Sequence, residues 1–488
     1  ICVNYNYIRQ DELDLGKFLD KYWVDSSLDE YLAEIPNNIK AMNDIKEKPA
    51  NALFLPGKWK QTLIFATRDT LSKLSNKQYL LINLLEAPLL ALILAFIIKY
   101  KSAPGGREYL FRFNENFPAF LLMSIIVALF MGLTVSAEEI IRDRKILKRE
   151  SFLNLSWNSY LQSKIIILFA LSAIQTFSFV LIGNLILEIE WSMLLPFWLI
   201  LFTTSCFANV LGLNISSAFN SAVTVYVMIP LLLIPQMILS GLLFSFDKLN
   251  NIIGTKGKVP IVADAMASRW AYEALAVYNF KNNSYSEPYY DIEKEEAQAD
   301  FKAAYLAQEL KRRNRFVADN FTSKNDSVLQ IVNKNLNILR TELEHEPYKA
   351  GIEKLNLSQD ISLSGYTAET AKQLETYIDE YQKVYQKLYN EKVALREKKI
   401  AFFESKKELG YNLNDSKNQY FNESLADLVT NVAEKDRILE YNGQLIQQIN
   451  PVYQDPKPTH VLDYRAQFFA PKKNFFGVWI DTFWFDML

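Results

Sequence analysis

An all-α membrane protein carrying a large soluble helical insertion is the fold class this sequence predicts. Apolar blocks fill about 78–246, whereas polar blocks fill 1–57 and about 282–463. Within the apolar part, runs of about 20 residues carry few or no charges, the length a helix needs to cross the hydrocarbon core. The polar block at 282–463 is poor in glycine and proline in its interior and spaces its apolar residues as helices do. This mixture explains a mean hydropathy near zero in a chain whose residues are 50% hydrophobic.

Composition excludes several classes. A net charge of −2 gives nucleic-acid binding no electrostatic support. Cys2 and Cys206 are the only cysteines, and Cys206 lies inside a predicted span, so neither a disulfide framework nor a thiolate metal site is expected. His345 and His460 lie far apart, with no metal-ligand pattern around them, and read as surface residues. No GxxxxGK[ST], GxSxG, HExxH or paired-carboxylate motif stands out. No catalytic residue, metal or cofactor is therefore assigned to this chain.

Residues 1–57 are polar and acidic and read as short helices; packing onto another soluble surface and a loosely ordered linker both fit. Leu55, Pro56 and Gly57 break the chain. An amphipathic helix follows over 58–76, with Trp59, Leu63, Ala66 and Leu74 near one face and Lys60, Arg68, Asp69 and Lys73 elsewhere. That pattern suits a helix lying at the membrane surface. Span one is Gln78–Ile98 and holds Glu86 and Pro88. An intramembrane carboxylate is costly; a proton relay, a bond to a neighbouring span and a place near the interface all remain readings of Glu86. The next loop, Lys99–Asn116, carries Lys99, Lys101, Arg107 and Arg112, which weakens the positive-inside signal. Alternation of the spans still puts it outside.

Span two is Phe117–Ala137, without a charge. The segment Glu138–Ser159 then holds Arg142, Arg144, Lys145, Lys148 and Arg149 within eight positions, which marks the cytoplasmic side. Ile140, Ile141, Leu147 and Phe152 suggest an amphipathic surface helix. It reads either as an ordinary topogenic loop, which charge pattern alone favours, or as an element pushed by a soluble motor. Span three, Tyr160–Leu187, has one charge, Lys164. Span four, about Trp191–Leu213, is preceded by the acidic pair Glu188 and Glu190, and Asn214–Ser221 is an inner turn. Span five, about Ala222–Phe246, contains Pro230, Pro235, Gln236 and Gly241. Its prolines predict a bend, either lining a path or kinked for packing.

Residues 247–281 are mixed. Val262–Phe280 reads as a helix or re-entrant pair at the outer interface, with Trp270 and Tyr272 as interfacial aromatics. In the soluble block a heptad places Leu374, Tyr381, Leu388, Leu395 and Phe402 at one core position and Tyr377 and Val384 at the other. Glu391 and Lys398 break the second series, which favours a long helical hairpin over a strict dimeric coiled coil. Residues 464–488 end in FFGVWIDTFWFDML, too short to span and expected to begin a sixth, truncated span. Both ends of the chain are expected to be incomplete.

This order resembles the membrane half of an ABC exporter of the G-subfamily (white/pleiotropic-drug) type. Four stretches carry the resemblance: Trp59–Arg68, LKRESFLNLSWNSYLQSKII at 147–166, IPQMILSGLLF at 234–244, and VADAMASRWAYEALAVYNF at 262–280. The insertion is far larger than the family's outer loop, and the ATPase domain that normally precedes is not in this chain. The resemblance implies a six-helix transmembrane domain driven by an ATPase domain, fused or separate, that binds ATP and Mg. Glu138, Glu139, Arg142, Arg144, Lys145, Arg149 and Glu150, in the helix 138–150, would couple to it, together with Trp59 and Arg68 of the connecting helix. Two membrane halves, in a homodimer or pseudo-symmetric dimer, would form a path lined by Met123, Ile126, Phe130, Pro235, Gln236 and Leu239 and closed outside by Leu242, Leu243 and Phe244.

Three functions follow as expectations. The first is an export permease for an amphipathic or lipidic substrate. The second is a mechanotransmitter whose helical domain acts on an envelope partner without transporting anything. The third is a structural envelope scaffold. A large insertion without disulfides suits a bacterial inner membrane protein with 282–463 in the periplasm, where a periplasmic protein partner would bind.

Overall fold

The computed structural model describes residues 56–488 apart from 101–108, 151–155, 251, 255–256, 346–360, 406–411, 442, 457–459 and 488. The reading of 1–55 and those of Lys101, Arg107 and Phe152 lie outside the described residues, as do the side chains of Glu150 and His345. About 74% of the structure is helix and no sheet closes, so the all-α class holds.

Helix α1 (Lys58–Ser75) is followed directly by α2 (Lys77–Ile98). Asn76 punctuates the pair: its side chain accepts a hydrogen bond from the Tyr79 amide at 3.1 Å, capping α2. Helix α3 (Phe117–Ala137) runs into α4 (Glu139–Glu150); α5 (Trp157–Leu187), α6 (Leu194–Ala218) and α7 (Ala222–Ile238) complete the apolar part. Among the described residues four segments, 77–98, 117–149, 157–187 and 191–218, are long and apolar enough to cross a membrane, and α7 is a shorter apolar helix.

α3 is the central helix, and α6 packs along it. Between apolar helices in lipid there is no hydrophobic drive, so close approach through small residues takes over. A Cβ on Gly132 would sit 2.6 Å from the Ser205 carbonyl oxygen and 2.7 Å from the Ala208 Cβ, and one on Gly212 would overlap Ser136. Gly132→Ala is therefore expected to cost about 1–3 kcal/mol by overpacking. Thermal unfolding in detergent checks this, and an unchanged midpoint would show that the two helices separate freely. Polar side chains add to the seam: Ser172 on α5 accepts from Ser205 Oγ at 2.9 Å and Asn209 Nδ2 at 2.7 Å on α6. Gln175 donates to the Asn83 carbonyl at 2.9 Å, joining α5 to α2.

Two expectations change. Span five ends as a helix at Ile238 rather than near Phe246. Gly241 takes a left-handed φ of 89°, and a Cβ there would meet the Phe468 ring at 2.6 Å, so the chain turns under that ring. Beyond the short α8 (Ile261–Asp264), α9 (Ala267–Asn282) is packed inside the bundle rather than laid on its surface. Tyr272, Ala274, Leu275 and Ala276 are fully buried, because α9 wedges among α3, α6 and α7. Trp270 is half-buried.

The soluble block begins with one continuous helix, α10 (Tyr290–Asp300) and α11 (Ala307–Asn320), joined by a π-helical stretch at Phe301–Leu306. With α12 (Asp326–His345) and the 38-residue α13 (Ala368–Ser405) it forms a bundle around Leu310, Val317, Val332, Leu339, Leu374 and Ile378. The heptad holds for half of α13. Leu374 and Tyr381 are buried, but Leu395 and Phe402 are exposed. There the contact face turns polar instead, with Lys392 on Glu295 at 2.6 Å and Arg396 on Glu296 at 3.1 Å. Helices α14 (Leu413–Tyr420) and α15 (Glu423–Thr430) follow, then the antiparallel hairpin β1 (Ile438–Tyr441) and β2 (Gln444–Gln447). A second hairpin, β3 (Lys472–Phe475) and β4 (Val478–Asp481), turns at Phe476 and Gly477, both at positive φ. The run at 475–488 thus becomes helical only at α16 (Thr482–Met487).

Candidate functional site

Lys164 is the charge around which the inner end of the apolar bundle is built. It lies two turns into α5 with a side chain 2% exposed. Its Nζ meets Asp69 of α1, Glu139 of α4 and Asp143 of α4, each at 2.8 Å. Lys73 adds a second cation, 2.8 Å from Asp69 and 3.1 Å from Glu139, and Arg142 a third, 3.0 Å from Glu139. The Tyr160 hydroxyl donates to Asp143 at 3.0 Å. Three carboxylates and three cations thus tie α1, α4 and α5 together. Burial pushes the Asp69 carboxyl up, but Lys73 and Lys164 outweigh it and hold it below its ordinary 3.8. A cavity of about 230 Å³ opens on the cluster, walled also by Phe65, Arg68 and Ile146.

The orientation of α1 follows from this. Gln61, Thr62, Phe65 and Lys73 are buried, whereas Leu63 and Leu74 are exposed. The apolar stripe faces outward, as it should at a lipid surface, and Asp69 and Lys73 face the protein, whereas Lys60 and Arg68 are exposed. Trp59, at the start of the helix, is exposed. Arg68 stacks on Phe65, 5.3 Å from the ring centroid.

The residues of 138–150 divide into two groups. Glu138, just before the helix, stands close enough to Tyr226 of α7 for its charge to act on that hydroxyl. Glu139 joins the buried cluster. Ser216 Oγ near the end of α6 accepts from the Ile140 and Ile141 amides at 3.1 and 3.2 Å. Arg144 caps that same helix end, donating to the Ser217 and Phe219 carbonyls at 2.8 and 2.7 Å and bonding Asn220. Lys145 and Arg149 instead point outward, one turn apart, alongside the half-exposed Arg142. One face of α4 is bolted to α1, α5 and α6; the other presents positive charge.

The path residues are less alike. Met123 and Phe130 are exposed and Ile126 half-buried, forming with Val127 and Thr134 an open stripe on the otherwise buried α3. Gln236 is buried: its side chain accepts from the Ser268 amide at 2.9 Å and its carbonyl from Ser268 Oγ at 2.5 Å, closing the free end of α7. Pro235 and Leu242 are half-buried, and Leu239 packs on Phe246, Val259 and Ala263. Leu243 and Phe244 are exposed.

At the other end of the bundle two of the loop's basic residues, both among the described residues, are matched. Lys99 meets Glu188 at 2.7 Å, and Arg112 meets Glu423 of α15 at 2.5 Å. Asn422 donates to the Phe111 and Asn114 carbonyls at 2.8 and 2.9 Å, so the soluble block is clamped to this loop. A second buried charge group stands near α9. Lys473 meets Glu273 at 2.6 Å and Asp486 at 2.5 Å, Arg269 meets Glu273 at 3.2 Å, and Arg269 lies over Trp270 at 3.7 Å.

Sequence reasoning names Glu139 and Arg142 but not Asp69, Lys73, Asp143, Tyr160 or Lys164 as one site. The available signals are Lys164, a lone cation in an apolar run, and the Asp69–Lys73 spacing of four. Neither signal says which helices converge.

An integral membrane domain whose spans are tied to a basic surface helix is the class this arrangement defines. Residues 60–275 match the family of ABC-2 type transporters, in its membrane-domain model. The match supports a permease component of an ABC transporter, and such domains work in a membrane with an ATPase partner. It stops within α9, so the soluble block at 282–463 lies outside it. No curated protein matches the chain.

Proposed function

We propose that this chain is the membrane-spanning half of an ATP-driven exporter that moves an amphipathic or lipidic substrate outward. An ATPase domain, fused or separate, supplies the power by binding ATP and Mg. Two membrane halves, identical or pseudo-symmetric, face each other across the open stripe of α3 and the largely exposed α7. The protein sits in a bacterial inner membrane with 282–463 on the periplasmic side. The buried cluster at Lys164 carries the reading. A push on the exposed face of α4 cannot move that helix alone, because its other face is bonded to α1 and to the ends of two apolar helices, α5 and α6. The spans therefore move with it. The match to ABC-2 transporters and the G-subfamily resemblance support the same reading.

Charge reversal on the outward face tests it. Lys145→Glu/Arg149→Glu touches no bond of the buried cluster, so melting should stay close to wild type. ATP turnover of the complex in lipid should lose at least about tenfold of its substrate stimulation, near 1.4 kcal/mol. Full stimulation in this variant would sink the coupling role of α4.

The clamp between Arg112, Asn422 and Glu423 favours a second reading, the mechanotransmitter, in which the same push drives the soluble block against an envelope partner. ATP-dependent partner binding without substrate movement across the bilayer would select it. The absence of any associated ATPase would leave the scaffold.

A further inference from the structure

A cavity of about 700 Å³ lies beside α6, on neither α3 nor α7. Its volume falls within the roughly 300–1,000 Å³ of small-molecule sites. Ile200 and Phe207 of α6 form one apolar wall, and Trp270, Phe475 and Phe485 form the other. The rim residues Phe207 and Phe476 are exposed and apolar. Phe207 lies 13 residues beyond the first residue of α6, about 20 Å along the helix, so the rim opens at hydrocarbon depth.

Two carboxylates line this cavity, Asp264 and Asp486, with side chains 9% and 0% exposed. Each keeps one oxygen without a hydrogen-bond partner, Oδ1 of Asp264 and Oδ2 of Asp486. The other polar groups on the wall are already engaged. Thr203 and Thr204 hydroxyls donate to their own helix, Trp270 Nε1 donates to the Asp264 carbonyl, and Asn474 donates to the Val461 carbonyl. Asp264, Glu273 and Asp486 stand with the buried cations Arg269 and Lys473, and the half-buried Arg465 acts on Asp264 through space. An apolar cleft with two carboxylate oxygens still free to accept hydrogen bonds suits a ligand with an alkyl tail and a cationic, hydrogen-donating head.

We propose that this cavity binds an amphiphile with an alkyl chain and a primary ammonium head, entering sideways from the membrane and placing the ammonium between Asp264 and Asp486. The site stands apart from the export path proposed above and does not depend on it.

The test uses the full chain in lipid vesicles and a photoreactive tetradecylamine carrying a diazirine in its tail. Crosslinks should map to the peptides holding Phe207 and Phe475. Tetradecylammonium should block them and tetradecyl sulfate should not. Asp264→Asn, which removes charge, and Thr203→Trp, which fills the cavity from a wall outside the charge group, should each weaken the block by at least about tenfold. Equal block by amine and sulfate, or a wild-type block in Thr203→Trp, overturns the proposal. Protection by vesicles containing phosphatidylethanolamine identifies a lipid headgroup as the natural amine; labelling unaffected by that lipid identifies a free amphiphilic amine.

Discussion

Lys164→Met is expected to destabilise the protein by about 3–5 kcal/mol, the cost of removing one partner from a buried ion pair. The loss falls at the upper end because Asp69, Glu139 and Asp143 all lean on this one ammonium. Without it, three carboxylates of low exposure are left with Lys73 and the half-exposed Arg142 as their ion-pair partners among the described residues. Relaxation would proceed by α1 and α4 letting go of α5, so function should fail with stability. Thermal unfolding in lipid or detergent measures the first effect, and substrate-stimulated ATP turnover measures the second. Tyr160→Phe is the graded control. It removes only the 3.0 Å bond to Asp143 and should cost about 1 kcal/mol. A Lys164→Met protein that melts with wild type would mean the cluster is ornamental.

Lys473→Met is the second large effect, expected at about 3–5 kcal/mol on the same grounds. Its ammonium, 1% exposed, is the joint between Glu273 on α9 and Asp486 on α16. Losing it leaves Glu273 with Arg269 but strands Asp486. The consequence should be local: protease access within 464–488 rises while the α3–α6 seam stays protected. Lys473→Met/Asp486→Leu should recover part of the loss, since a buried pair replaced by apolar groups is often neutral. If the double variant is worse than the single one, the shape of this joint matters more than its charge.

Much of the architecture is written in the sequence at the level of hydropathy. Span lengths, the connecting helix and the surface helix after α3 are all one-dimensional signals. Packing partners are not. The helical wheel separates Asp69 and Lys73 from the apolar stripe of α1 but cannot say that the stripe faces outward while Asp69 meets Lys164 and Lys73 meets Glu139. The excess of basic residues in the loop before α3 looks anomalous until Glu188 and Glu423 are brought beside Lys99 and Arg112, the latter from more than 300 residues away. Tyr272 reads as interfacial because α9 resembles a surface helix in composition; only the grouping of α3, α6 and α7 around it makes it core. The small hairpins escape for a related reason. Strands of four residues, held by Gly443 and Gly477 turns, carry too little periodicity to register.

Helix α13 also fixes a length. Thirty-eight residues make an unbroken rod of about 57 Å. Near one end, Phe403 meets Tyr289, close to where the soluble block leaves α9; near the other, the Ala371 carbonyl accepts from Asn314. A rod works as a lever. A tilt of about 5° at the foot displaces the head by about 5 Å, which is the rise of one helical turn. Small rearrangements at the base would thus reach the far end of the block as steps large enough to change which residues of a neighbouring surface are in register.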